Sequence, residues 1–165
     1  MKMTELFLAE LEREAATTRR VLQRVPEGRY DWKPHEKSMT LGYLAELVAR
    51  LPSWCVNAIQ RDELELTTAE KLPPLRTSSE LVQALDENVA RAREALANTT
   101  DDHLMKPWRL LVAGQVVSED PRHIVLRDAV FNHLAHHWGQ LTVYLRLNGA
   151  PVPSIYGPSA DEKTF

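Results

Sequence analysis

The sequence predicts an all-α fold, a four-helix bundle, on three observations. Apolar residues return at three- and four-residue intervals in four separate stretches, capping signals bound most of those stretches, and no convincing strand alternation lies between them. With 165 residues, 44% of them hydrophobic, the chain is long enough for one packed core and short for two, so residues 1–165 are expected to form a single helical domain.

The first helix is expected near residues 3 to 25, where Leu6, Leu8, Leu11, Ala15, Thr18, Val21, Leu22 and Val25 recur between charged residues. Pro26, Gly28 and the segment Tyr30-Asp31-Trp32-Lys33-Pro34 stop it, because proline cannot extend the hydrogen-bond ladder. The second runs near 40 to 60, capped by Ser38 or Thr40, with Leu41, Leu44, Leu47, Val48, Leu51, Trp54, Cys55, Ala58 and Ile59 as its apolar set. Pro52 falls inside that pattern and should bend the helix about one turn earlier. Arg61 to Arg76 reads as a loop.

Thr77-Ser78-Ser79-Glu80 has the form of a capping box, and Leu81, Leu85, Val89, Ala92 and Leu96 carry the third helix from 78 to 98. Between Thr99 and Glu119 helical periodicity fails, and Pro107-Trp108 with Leu110 to Val117 can form a short hairpin turning at Ala113-Gly114. The fourth helix, 121 to 148, has Asp120 as its cap and Pro121 in the first turn, where the missing N–H costs nothing. Its stripe is Leu126, Val130, His133, His137, Leu141, Tyr144 and Leu145, and Asn148-Gly149 signals a left-handed end.

Composition narrows the function. The net charge is -3, and basic residues such as Arg19, Arg20 and Arg24 alternate with acidic ones instead of clustering, which argues against a nucleic-acid groove. The one cysteine, Cys55, excludes an intramolecular disulfide and fits a reducing cytoplasm. Glu5, Glu10 and Glu12 interrupt the first apolar pattern, so neither a signal peptide nor a membrane span is expected.

Chemistry concentrates in Phe131-Asn132-His133-Leu134-Ala135-His136-His137-Trp138-Gly139-Gln140-Leu141, which holds three of the six histidines. On a helix His133 and His137 lie one above the other, the spacing from which two imidazoles can grip one metal ion. The bland reading is a pair of buried imidazoles bonded to each other, to water or to Gln140. His136 is turned roughly 100° away, toward the flank of the bundle. Trp54, Trp108 and Trp138 read as packing residues, Asp161 and Glu162 as solvated, and His35, His103 and His123 have no assigned role.

The string His133-x-x-His136-His137-x-Gly139-Gln140-Leu141, with Tyr144-Leu145-Arg146 and the tail from Gly149-Ala150-Pro151 to Asp161-Glu162, resembles the end of a DinB family protein. Arg19-Arg20-Val21-Leu22, Trp32-x-Pro34-His35-x-Lys37-Ser38-Met39-Thr40-Leu41-Gly42, and Leu44-Ala45 through Leu51-Pro52-x-Trp54 agree with that family in order. The resemblance implies a four-helix bundle, commonly homodimeric, holding a divalent metal such as zinc or nickel on three histidines, two of them matching His133 and His137. It also implies a small-molecule substrate, for members that are thiol S-transferases using bacillithiol or mycothiol and others taken for metal-dependent hydrolases.

The histidine that the family carries on the second helix falls on Leu47, and Trp138 stands where arginine is frequent. Leu47 has no donor atom. Cys55 is eight residues on, roughly 12 Å along the axis, Glu46 points about 100° away, and Gln140 is a weak neutral ligand, so none replaces it. Two function classes follow: a metal-dependent enzyme with an incomplete site, or a small-molecule-binding or stress-associated bundle protein that has lost the metal.

Overall fold

The structure, a computed structural model, describes residues 1–68 and 72–163. Its helices are α1 (Met3–Leu22), α2 (Leu41–Arg50), α3 (Ser53–Gln60), α4 (Ser78–Ala97), the short α5 (Asp101–Leu104), α6 (Arg122–Leu126) and α7 (His133–Leu147). A π-helical segment, Arg127–Asn132, joins the last two. In outline these make the four expected long rods, the second broken into α2 and α3 and the fourth carrying the π segment.

Local chemistry accounts for the ends. Thr40 accepts from the Tyr43 N–H at 3.2 Å to open α2, and Thr77 with Glu80 closes a reciprocal capping box on α4. Gly149, at φ 72°, takes the left-handed position after α7. Two expectations fail. The second rod breaks at Leu51-Pro52 itself, not one turn earlier, because α2 keeps its last bond, Leu51 N–H to Leu47 C=O, and Pro52 starts α3. Asp120 does not cap the last rod: its carboxylate accepts from the Ser118 hydroxyl, Pro121 ends a strand, and α6 starts at Arg122.

The fold is mostly helical but not purely all-α. Strands β1 (Glu63–Glu65), β2 (Pro107–Val112) and β3 (Gln115–Pro121) form a small sheet in the order β1-β2-β3. The hairpin is the expected one. Ala113 and Gly114 both have positive φ, 51° and 76°, which a two-residue turn matching the strand twist requires. The correction is β1, inside the stretch read as a loop, which pairs in parallel with β2 from Glu63↔Arg109 to Glu65↔Leu111. Glu65 explains why so short a strand holds: its carboxylate accepts from the Thr67 hydroxyl and from the backbone N–H groups of Thr67 (2.8 Å), Gly114 (2.8 Å) and Ala113 (3.1 Å), and these bonds, the Thr67 hydroxyl first, bring its pKa down to about 2. Residues 69–71 of that stretch lie outside the described residues.

One apolar cluster fills the space between the rods, with Leu22, Leu41, Leu44, Leu81, Leu85, Leu96, Leu126 and Leu141 almost fully buried. On α1 the inward residue is Phe7, stacked on Phe131 at 5.7 Å, while Leu6 is 41% exposed. Gly42 is needed for close approach: a Cβ there would sit 2.7 Å from the Tyr30 ring, and its N–H donates to the Tyr30 carbonyl at 2.9 Å. That contact seats the loop before α2 on the bundle. The buried Tyr30 hydroxyl, pushed up to about 12 chiefly by burial, has no partner among the described residues.

Candidate functional site on the last helix

The helical repeat that builds the core also builds the site. Leu134, Trp138, Leu141 and Leu145 turn inward along α7, and one register round the same helix His137 is buried and His133 half-buried. The π segment ends where His133 begins. A π turn inserts an extra residue into the helical repeat, so it sets how the imidazoles enter the bundle, and such insertions recur at functional sites. α7 lies against α2, and the Tyr144 hydroxyl donates to the Met39 carbonyl at 3.2 Å while Trp32 meets its ring edge-on at 5.5 Å.

The imidazoles of His133 and His137 are 4.5 Å apart between centroids, as the four-residue spacing predicts. His137 Nδ1 lies 2.8 Å from Gln140 Oε1. An amide oxygen can only accept, so Nδ1 carries the proton and Nε2 is left as the acceptor. The amide nitrogen of Gln140 then donates to His136 Nε2 at 3.2 Å, and His136 itself is exposed with its ring 4.9 Å from that of His137.

Burial pushes the pKa of both His133 and His137 below the ordinary imidazole value. His137 adds to this at His133, while at His137 the Gln140 bond works the other way. At neutral pH the site therefore presents uncharged rings.

Leu47 is half-buried on α2 and packs against the core. The donor set does not fit a three-histidine centre, because Leu47 contributes no lone pair and among the described residues no three His, Cys, Asp or Glu side chains gather around one point. Cys55 is fully buried in α3, with its thiol pushed up to about 12 by burial, so it is a core residue and not a thiolate ligand. Of the three remaining histidines, His103 bonds the Ile59 carbonyl, His123 the Leu104 carbonyl, and the exposed His35 accepts from the Lys37 N–H at 3.2 Å. Trp108 and Trp138 are buried, as packing residues should be.

The tail departs most from expectation. Asp161 and Glu162 are not merely solvated: Asp161 pairs with Arg146 at 2.5 Å, and Glu162 accepts from Arg24 at 2.9 Å, from Arg20 and from the Ser154 N–H at 3.0 Å. These bonds fold the tail back on α1 and α7, where the Tyr156 ring lies 5.7 Å from Trp138 and its hydroxyl donates to Glu14 at 2.9 Å.

Bundle geometry and a helix-borne imidazole pair define a class, helical bundles that carry a histidine site between their rods. Within that class the chain belongs to the DinB family, whose profile matches residues 1–164. It is 28% identical over 158 residues to uncharacterized protein YrdA of Bacillus subtilis (strain 168), covering 94% of this chain and 89% of that one. A DinB-like protein from Bacillus cereus superposes with a TM-score of 0.71 at 24% identity, over 92% of this chain and 97% of the other. One from Bacillus subtilis gives 0.70 at 14% identity, over 96% and 99%. No helix among the described residues is long and apolar enough to cross a membrane.

Proposed function

We propose that this chain is a small-molecule-binding DinB-family bundle protein that works without the family's metal, using His133, His137 and Gln140 as a neutral hydrogen-bonding site. The reading is supported by Leu47, which stands on α2 at the position where the family resemblance implies a third histidine, and by His137 Nδ1, which is tied to Gln140 at 2.8 Å. Two neutral rings, that of His137 fixed in one tautomer by Gln140, offer a ligand the His137 Nε2 acceptor beside the half-buried His133. The test is calorimetric titration of untagged, chelator-treated protein with zinc and with nickel. Affinity no tighter than about 10 μM is expected, since a missing imidazole forfeits several kcal/mol of coordination.

The approach of the two rings to 4.5 Å favours a second reading, a metal-dependent thiol S-transferase or hydrolase in which His133 and His137 alone hold zinc or nickel. Stoichiometric metal retained through purification would select it over the first. We also propose a homodimer, supported by the exposed apolar residues Tyr43 on α2 and Val143 and Leu147 on α7. Light scattering at the mass of one 18.8 kDa chain would reject that assembly.

A further inference from the structure

On the side of the bundle formed by α1 and the C-terminal tail, a cavity of about 250 Å³ is lined by Arg13, Glu14, Thr17, Ile155 and Tyr156. Its floor is unusual for an amphipathic helix. Glu14 lies on the buried stripe of α1 between Leu11 and Thr18 and is only 4% exposed. A carboxylate withdrawn that far from water needs compensation for its lost hydration.

The compensation is partial. The Tyr156 hydroxyl donates to Glu14 Oε2 at 2.9 Å, and the other oxygen, Oε1, has one long contact of 3.4 Å from Arg13, whose side chain is 74% exposed. A carboxylate offers about four acceptor positions, so most of its capacity is unfilled. The neighbouring polar groups are committed elsewhere: Glu10 accepts from Arg127 at 2.7 Å, and the Thr17 hydroxyl donates to the Arg13 carbonyl. With the Tyr156 O–H already donating to Glu14, the cavity has acceptors to offer and one exposed surface cation at its edge. The Tyr156 ring, backed by the buried Trp138 at 5.7 Å, supplies a flat apolar wall.

From this arrangement we propose that the cavity binds a small organic ammonium ion, paired with Glu14 Oε1 in place of Arg13 and packed on Tyr156. The volume suits a ligand of a few heavy atoms. The site stands apart from the histidine pair and does not depend on the reading of it.

The probe is n-propylammonium chloride, followed by NMR at the Trp138 indole and the Tyr156 amide, with 1-propanol and sodium chloride as controls. Saturable shifts with a Kd of about 10 mM or tighter are expected for the ammonium alone. Glu14→Gln, which keeps an acceptor for Tyr156, should weaken binding at least about tenfold, the loss of roughly one charge-assisted contact. Arg13→Ala removes a competing cation from an exposed position and should tighten binding. His133→Ala should leave it unchanged. Absence of saturation, equal response to 1-propanol, Glu14→Gln binding like the parent, or Arg13→Ala binding more weakly would each overturn the proposal; because Arg13 is exposed, its variant decides the matter even if Glu14→Gln does not fold.

Discussion

The two sides of the last helix solve the same problem in opposite ways. Around the histidine pair, α7 presents polar groups that are uncharged: two imidazoles held neutral by burial and a glutamine that fixes the tautomer of one. Toward α1 and the tail it meets charges, and nearly all are paired, with Arg146 on Asp161, Arg20 and Arg24 on Glu162, and Tyr156 on Glu14. Polar groups persist at a helix interface when each has a partner, and the kind of partner decides what the interface can recruit. The imidazole pair keeps an unprotonated Nε2 on His137, and the charged side has a carboxylate oxygen to spare.

The change that should break this contrast most strongly is Leu47→His, which converts the neutral side into a three-imidazole site. Zinc or nickel affinity should rise by at least about a hundredfold over the parent, because a coordinating imidazole contributes several kcal/mol where each 1.4 kcal/mol is tenfold. Without metal the variant should lose of order 1–3 kcal/mol, the cost of an imidazole among apolar neighbours, and added metal should restore it. Leu44→His, one turn earlier and fully buried, is the control that should lose stability and gain no metal. Equal affinities by calorimetry for parent, variant and control would mean that α2 does not set Leu47 opposite the histidine pair.

How far this contrast is legible in the sequence depends on the range of the interactions. The rods and their caps are written locally, in the periodic leucines, in Thr77-Ser78-Ser79-Glu80 and in Asn148-Gly149, and the histidine pair follows from its four-residue spacing. What escapes is long-range or without signature. Glu63-Leu64-Glu65 alternates over only three residues, too short a run to announce a strand, and becomes one by pairing with residues 46 positions away. The π segment inserts one residue into a helix without a composition of its own. Asp120 is a plausible cap that Ser118 claims first. Glu162 reads as solvated until the chain folds it onto α1, 142 residues away. Glu14 did leave a trace, since a carboxylate at the i+3 position from Leu11 on an inward stripe breaks the pattern the rest of α1 obeys.

On the charged side, Glu162→Gln should loosen the tail. It removes the carboxylate that Arg20 and Arg24 share while keeping the side chain's size. The expected result is faster hydrogen exchange at Ser154, whose N–H is bonded to that carboxylate, together with a lower melting midpoint and unchanged exchange in α4. If Ser154 exchanges as slowly as in the parent, the ion pairs do not hold the tail and Tyr156 docks by packing alone. The effect should be smaller than that of Leu47→His, because these groups are partly exposed and screened.

The subtlest difference lies in pH. Both imidazoles ionise below the ordinary value of 6.5, so between their unfolded and folded pKa values the unfolded chain binds more protons than the folded one. Their contribution is therefore fully present above about pH 6.5 and is lost as pH falls through the folded values. Asp161 and Glu162 are also lowered, the first chiefly by Arg146 and the second by the Ser154 N–H, but from 3.8 and 4.5, so what they contribute persists to lower pH. Melting midpoints of chelator-treated protein, followed from neutral to acid pH, should then fall in two limbs. His133→Asn with His137→Asn should abolish the upper limb and keep the lower, whereas Glu162→Gln should blunt the lower and keep the upper. A single limb confined below pH 4.5 in the parent would mean that the imidazoles accept protons in the folded bundle as readily as in water, and that the histidine-bearing side is not the neutral one.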